Sequence, residues 1–346
     1  MTGRPDIAAL DQAKDDRLTE LTNWLAQLDG FGARKFESAS ADASFRRYFR
    51  VHGEESYILM DAPPPQEDCR PFVKIAAYLE QMGLNSPRVL QADVERGFLL
   101  LTDLGSTLYL AELERNPSNA SLLYDDALNA LALLQLKGSA YQKELPFYDA
   151  KTLHFELSIF HDWLCKRHLG INLSDTEERL WSACCDYLIE NALQQEMVFV
   201  HRDFHSRNLM VTDTNNPGII DFQDAVEGPI TYDLVSLLKD CYVKWPVEQI
   251  VQWAMSFYDR LQFDVQSKLD ADTFLRQFDL MGVQRHLKAA GIFARLLHRD
   301  EKHGYMQDVP RTLSYIVDVA PHYAELEFLS DLISNRILPA LERADG

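Results

Sequence analysis

A chain of 346 residues, 47% hydrophobic and 25% charged, is long enough to fold as two lobes with separate cores. Its formal net charge of −19 sets it against nucleic acid and anionic membrane as partners. Five cysteines without a C-x-x-C pair, Cys69, Cys165, Cys184, Cys185 and Cys241, argue against a disulfide framework or a zinc site. No apolar run approaches the ~18 residues of a membrane span, and the first residues lack a secretory pattern, so a cytoplasmic location is expected.

In chain order, Leu18, Leu21, Leu25 and Leu28 repeat at helical spacing and predict an amphipathic helix over 15–29, ending at Gly30. From Phe36 to Met60 the pattern turns to short β-type runs, chiefly 44–51 and 56–60. Pro63, Pro64 and Pro65 impose a loop over 61–66. A helix over 71–82 and strands over 88–92 and 97–103 follow. After Gly105 the periodicity is helical, over 119–138, 152–168 and 175–194. One β-rich island, 197–220, interrupts it before further helices run from Tyr232 onward. This pattern is an α+β fold: a small β-rich N-terminal lobe, 1–103, and a larger, mostly helical C-terminal lobe, 104–346.

The island carries the chemistry. It reads V-F-V-H-R-D-F-H-S-R-N-L-M-V, then a turn through Asn215, Asn216, Pro217 and Gly218, then I-I-D-F-Q-D. A short strand ending at Val200 delivers His201, Arg202 and Asp203 into a loop. A hairpin then places Asn208 and Asp221 at its rim. Phosphoryl transfer needs hard oxygen ligands for Mg²⁺ and a carboxylate that orients the attacking hydroxyl. Asn208 and Asp221 suit the metal and Asp203 the hydroxyl, with the γ-phosphate of a nucleotide as the group transferred. His201 is expected to brace the loop, and His205 either to brace it or to touch the substrate. Asp233 is expected to support the loop from beneath and to cap its own helix.

His201-Arg202-Asp203, four intervening residues, Asn208 and a later Asp221-Phe222 pair resemble the catalytic and metal-binding segments of the protein-kinase-like superfamily. The form Asp203-Phe204-His205-x-x-Asn208 is closer to its aminoglycoside and choline phosphotransferase branch. The resemblance implies a bilobal kinase fold with nucleotide held by the N-terminal lobe. Two departures stand out. The stretch Ser40–Val51, where a glycine-rich loop is expected, has no glycine, and Met60 stands at the strand lysine position. Ser44 and Phe45 are therefore assigned to the loop over the phosphates. Arg46 or Arg47, with Arg50 in reserve, is assigned to replace the lysine. Asp103 and Leu104 are expected to meet the adenine through backbone groups. Few residues separate Asp221 from the helix at Tyr232, which leaves no room for a peptide-docking activation loop and favours a small-molecule acceptor.

Basic residues gather between Gln284 and Arg311 in an otherwise acidic chain. Together with Ala43–Tyr48, Met60-Asp61-Ala62 and the His201–Asn208 loop, this stretch resembles the bacterial kinases that phosphorylate the anomeric hydroxyl of N-acetylmuramate or N-acetylglucosamine in cell-wall recycling. That implies an amino-sugar acceptor, with His205, Arg295 and Arg299 as substrate contacts and the two arginines facing the lactyl carboxylate. An aminoglycoside or choline kinase and a non-catalytic binding module remain the alternatives. A carboxylate-rich surround would favour the aminoglycoside, a basic or neutral one the sugar.

Overall fold

The computed structural model describes residues 7–344 apart from 33, 42–44, 262 and 267. The chain divides into two compact units, Met1–Glu80 with Ser86–Leu104, and Gln81–Asn85 with Gly105–Gly346. Among the described residues no helix is long and apolar enough to cross a membrane.

The first unit is built on one antiparallel sheet. Its strands are β1 (Phe36–Ala41), β2 (Arg47–Val51), β3 (Tyr57–Asp61), β4 (Val89–Asp93) and β5 (Phe98–Thr102), in spatial order β1-β2-β3-β5-β4. Helix α1 (Ile7–Ala26) buries Leu21, Trp24 and Leu25 against Val51, Leu59, Phe98 and Leu100. The continuous run F-L-L-L in β5 follows from its place. Phe98 and Leu100 face the α1 cluster, while Leu99 and Leu101 are equally buried on the opposite face. α1 starts earlier than the leucine stripe predicts and ends at Ala26, four residues before Gly30 takes its left-handed conformation. Helix α2 (Arg70–Met82) begins in this unit, as expected from the sequence.

In the second unit come α3 (Tyr109–Arg115), α4 (Ala120–Gly138), α5 (Ala150–Ile159) and α6 (Asp175–Leu193). Ser174 starts α6 with a capping box: its hydroxyl accepts from Glu177 N, and the Glu177 carboxylate accepts from Ser174 N at 2.7 Å. The β-rich island supplies β6 (Met197–Val200), β7 (Leu209–Met210) and β8 (Gly218–Ile219), followed by β9 (Val226–Pro229). β9 reads V-E-G-P and has no strand signature. It exists because β6 pairs with it along its length and Glu227 N bonds to Pro146 O at 2.9 Å.

Then follow α7 (Tyr232–Leu238), α8 (Val247–Tyr258), the one-turn α9 (Phe263–Gln266), the long α10 (Ala271–Asp300), α11 (Val309–Val319), α12 (Glu327–Leu332) and α13 (Leu338–Ala344). Asp270 caps α10 by accepting from Thr273 N at 2.9 Å. α10 packs against α5, α6, α7 and α11 and is the axis of this unit.

The helix predicted over 152–168 changes winding at Phe160, where α5 gives way to a wider, π-type segment through His168. There α10 comes closest. A Cβ at Gly291 would stand 2.4 Å from Phe160 N, a backbone atom that cannot swing aside. Gly282, on the same helix, is different: its nearest neighbours are Lys239 side-chain atoms at 3.5 Å. Alanine raises helix propensity at either site by up to about 1 kcal/mol. At Gly291 the overlap outweighs this. Gly291→Ala is expected to cost about 1–3 kcal/mol in urea unfolding, whereas Gly282→Ala leaves stability equal or slightly higher.

Candidate active site

β6 pairs antiparallel with β9, Val200 opposite Val226, and runs directly into His201, Arg202 and Asp203. This turn is held by one carboxylate. Asp233, in the first turn of α7 and fully buried, accepts from His201 N at 2.6 Å and from Arg202 N at 3.0 Å. Burial raises its pKa to about 7 against the pull of those two amides. The support expected from the sequence is thus observed, while the capping is not, since α7 has no side-chain cap. With its amide tied down, Arg202 takes a left-handed φ of 78°, a conformation that costs a non-glycine residue about 1–3 kcal/mol.

His201 is buried beside this turn, its Nε2 3.1 Å from Ile220 O and its Nδ1 accepting from Asp203 N at 3.3 Å. Burial lowers its pKa to about 4, so the ring is neutral at pH 7, and the two contacts assign the proton to Nε2. His201 braces the loop, as its sequence context suggests.

The hairpin supplies the other two groups. Leu209 pairs with Ile219, and Ile220 N continues the ladder to Asn208 O at 3.1 Å. That register sets the Asn208 side chain between its partners: Nδ2 donates to Asp203 O at 3.0 Å and faces Asp221 Oδ2 at 3.4 Å. Asp221 has a left-handed φ of 63°, and its Oδ1 accepts from Gln223 Nε2 at 2.9 Å. Asp203, Asn208 and Asp221 are therefore brought to one half-buried spot, with Asn208 as the bridge.

Behind Asp203 lies a buried polar cluster that sequence reasoning missed. Glu156 of α5 is buried and accepts from Arg202 at 2.6 Å, from Gln284 at 3.3 Å and from the Tyr148 hydroxyl. Lys288 Nζ lies 3.0 Å from Glu156 and donates to Tyr232 Oη at 2.9 Å. Burial alone would raise the Glu156 pKa, but Lys288 and Arg202 outweigh it and hold the carboxyl below its ordinary range. Asp203 behaves likewise. Burial opposes its charge, yet Lys288, His205, Arg285 and Arg202 together depress its pKa. Gln284, Arg285 and Lys288 are spaced one helical turn apart or less on α10, a signal present in the sequence. Glu156 and Tyr148 carried none, because their partners are distant in the chain.

A second buried acid supports the far side of the loop. Asp240 accepts from the Ser206 amide at 3.0 Å, from the Ser206 hydroxyl and from Tyr242 N at 2.9 Å. His205 is buried with its ring edge-on to Tyr242, centroids 5.4 Å apart, and its Nδ1 has no hydrogen-bond partner among the described residues. Burial lowers its pKa. Arg299 is held by Asp300, Nε to Oδ1 at 2.9 Å. Arg295 is half-buried, and burial with the neighbouring Arg299 lowers its pKa. Neither arginine bonds to a described residue of the His201–Asn208 loop.

The expected nucleotide residues belong to the first unit. Ser44 lies outside the described residues. Phe45 is 67% exposed, and its amide donates to Glu67 Oε1 at 3.1 Å. Arg46 Nε stands 3.9 Å from Glu67 Oε2. Arg47 bonds to Asp61, Nε to Oδ2 at 2.9 Å, and Arg17 of α1 bonds to the other oxygen of the same carboxylate at 2.7 Å. Asp61 is fully buried beneath this pair. Arg50 donates to Asp103 at 2.6 Å, and Leu104 is half-buried beside it in sequence.

Residues 35–266 match the model of the phosphotransferase enzyme (APH) family. The chain is 44% identical to an N-acetylmuramate/N-acetylglucosamine kinase of Pseudomonas aeruginosa, over 93% of this chain and 97% of that protein. It is 39% identical to a kinase of the same name from Neisseria meningitidis, over 92% and 95% of the two. Among solved structures it resembles a choline/ethanolamine kinase family protein from Mesorhizobium loti, with TM-score 0.61, 14% identity, and 91% and 99% of the two chains covered. That last likeness is one of fold.

Glu156 neutralises two buried cations, so Glu156→Gln is expected to cost about 3–5 kcal/mol in chemical denaturation by leaving them in excess. Adding Lys288→Met to that variant should restore part of the loss, and strictly additive effects would contradict a shared charge cluster.

Proposed function

The chain belongs to the phosphotransferase enzyme family, and from that membership we propose that it transfers the γ-phosphate of ATP to the anomeric C1 hydroxyl of an N-acetylated amino sugar, N-acetylmuramate or N-acetylglucosamine, as a step of cell-wall recycling. The observation that carries the reading is near end-to-end similarity to kinases named for those two acceptors, in a chain where one asparagine joins Asp203 to Asp221. The charges acting on Asp203 favour the same choice over an aminoglycoside. Lys288 and Arg202 are balanced by Glu156, but Arg285, buried against Cys241 Sγ, is not and would repel a polycationic acceptor.

In this reading Asp203 accepts a hydrogen bond from the sugar hydroxyl and orients its oxygen toward the γ-phosphorus. The new O–P bond forms as the bond from phosphorus to the β-phosphate bridging oxygen breaks, ADP leaves, and the hydroxyl proton passes to Asp203. A carboxylate kept ionised by several cations is a weak base. An anomeric hydroxyl is more acidic than an ordinary alcohol, so orientation matters more here than proton affinity.

The donor set suits Mg²⁺. Asp221 offers a carboxylate. Asn208, whose Nδ2 faces Asp203 and Asp221, has its Oδ1 unbonded to any described residue. Mg²⁺ takes one or two protein oxygens and completes its shell from phosphate and water, so two such groups suffice. When bound, the ion supplies charge neutralisation for the phosphates. On the nucleotide side, Arg47 stands in for the missing lysine. Two arginines on the one Asp61 carboxylate leave net positive charge at the end of β3.

Incubation with ATP, Mg²⁺ and each sugar, followed by NMR location of the phosphate, should give the 1-phosphate; phosphate on any other position refutes the anomeric assignment. Asp203→Asn should lower kcat by about 10²–10⁴-fold, and equal turnover by the two proteins removes Asp203 from its role. Arg47→Met should raise the KM for ATP by about 10-fold or more with little change in the KM for sugar. An ATP KM within twofold of wild type would reduce Arg47 to a sheet-rim contact.

A further inference from the structure

N-acetylmuramate and N-acetylglucosamine differ by one charged group, the lactyl carboxylate that only the former carries. An enzyme with the activity proposed above, on which this inference rests, therefore benefits from an available cation about one side chain away from its base. Most cations acting on Asp203, or borne by the segments around its loop, are already paired. Arg202 and Lys288 share Glu156. Lys239 is bonded to Asp279, and Arg311 to Asp308 and to the carbonyls of Cys241 and Tyr242. Arg285 is buried against Cys241 Sγ at 3.8 Å. Arg299 is held by Asp300.

Arg207 differs from all of these. It lies in the same loop as Asp203, immediately before Asn208, and is half-buried. Its guanidinium carbon sits 3.7 Å from the centroid of the Tyr242 ring and 5.8 Å from that of Tyr305. Phe293 stacks on Tyr305, centroids 5.7 Å apart, which backs the arrangement from α10. Among the described residues the Arg207 N–H groups bond to no carboxylate and no other acceptor. Asp240, two residues before Tyr242, accepts from Ser206 and Tyr242 N. Asp308, three residues after Tyr305, feels the Arg207 charge but directs Oδ1 to Arg311 at 2.8 Å and makes no hydrogen bond to Arg207.

Stacking satisfies the face of a guanidinium and fixes its plane, but it leaves the N–H edge open. An edge held in a fixed plane is the geometry that grips a carboxylate through two parallel hydrogen bonds, and a stacked guanidinium is less hydrated and so easier to desolvate. We propose that Arg207 is the specificity residue for acidic acceptors: its guanidinium, held flat by Tyr242 and Tyr305, pairs with the carboxylate of an N-acetylmuramate-type sugar whose C1 hydroxyl faces Asp203. A neutral N-acetylglucosamine makes no such pair. Of the two arginines assigned this task from the sequence, Arg299 is held by Asp300. Arg295, like Arg207, has no bonded acid among the described residues, and Arg207 is preferred because it lies in the same loop as Asp203 and is fixed by two rings.

The test compares kcat/KM for both sugars in wild type, Arg207→Met and Arg207→Lys. Arg207→Met should lose about 10- to 100-fold on N-acetylmuramate, mainly through KM, and no more than about threefold on N-acetylglucosamine. Arg207→Lys should recover part of the loss, because charge returns without the two-pronged geometry. In wild type, added salt should raise the KM for the acidic sugar more than that for the neutral one, a readout that needs no variant to fold. Equal losses on both sugars, or an acidic-sugar KM that neither salt nor Arg207→Met moves, overturns the proposal and leaves the kinase reading standing. A wild type that phosphorylates neither sugar overturns the parent reading and this inference with it.

Discussion

The turn that presents Asp203 is first of all a backbone problem. To leave β6 and aim Asp203 away from the core, the chain passes through a left-handed arginine, a conformation that costs about 1–3 kcal/mol and exposes two amides to a dry interior. Asp233 accepts from both amides, and Glu156 fixes the side chain of the strained residue. Remove either acid and the turn has no reason to hold. The helical unit can be read outward from these two carboxylates: α7 places one, α5 the other, and α10 brings Lys288 and Gln284 to complete the cluster.

The same cluster sets the electrostatics of the site. Burial opposes the charge of Asp203, and a lone buried carboxyl would tend to stay protonated. Lys288, His205, Arg285 and Arg202 reverse the sign. Glu156 then prevents the cations from overwhelming the loop, since it balances two of them directly. Structural support of the loop and the ionisation of Asp203 therefore rest on the same residues. A substitution in the cluster should move stability and activity together, whereas one at Asp203 itself should separate them.

How much was legible in the sequence follows from how local each determinant is. Asp203, Asn208 and Asp221 sit on one strand-loop-hairpin unit, and the hairpin turn residues announce it. The helical and strand patterns likewise gave the α+β class and most elements, because periodicity is a property of short windows. β9 was missed because its pairing, not its composition, makes it a strand. Glu156 and Tyr148 were missed because their value arises only when α5, α10 and the loop meet. Arg207 was in plain view within the motif, yet only the arrangement around Tyr242 and Tyr305 sets it apart from the other arginines. Arg295 and Arg299 drew attention as part of a basic run, and Arg299 turned out to be held by the acid beside it.

The β-sheet unit turns on register. A single-residue slip between β2 and β3 would carry Arg47 to the other face of the sheet, since successive side chains alternate. In the observed register Arg47 stands opposite Asp61, and Arg17 reaches the same carboxylate from α1. Asp61 is wholly buried, so two cations on it are needed more for its own stability than for any ligand. That requirement has a consequence. The carboxylate can neutralise only one of the two arginines, and the excess charge is anchored by burial instead of floating on a flexible stem. A kinase lysine achieves this by pairing with a helix glutamate. Here the acid comes from the strand and the cations converge on it, which reaches a fixed positive charge from the opposite starting point.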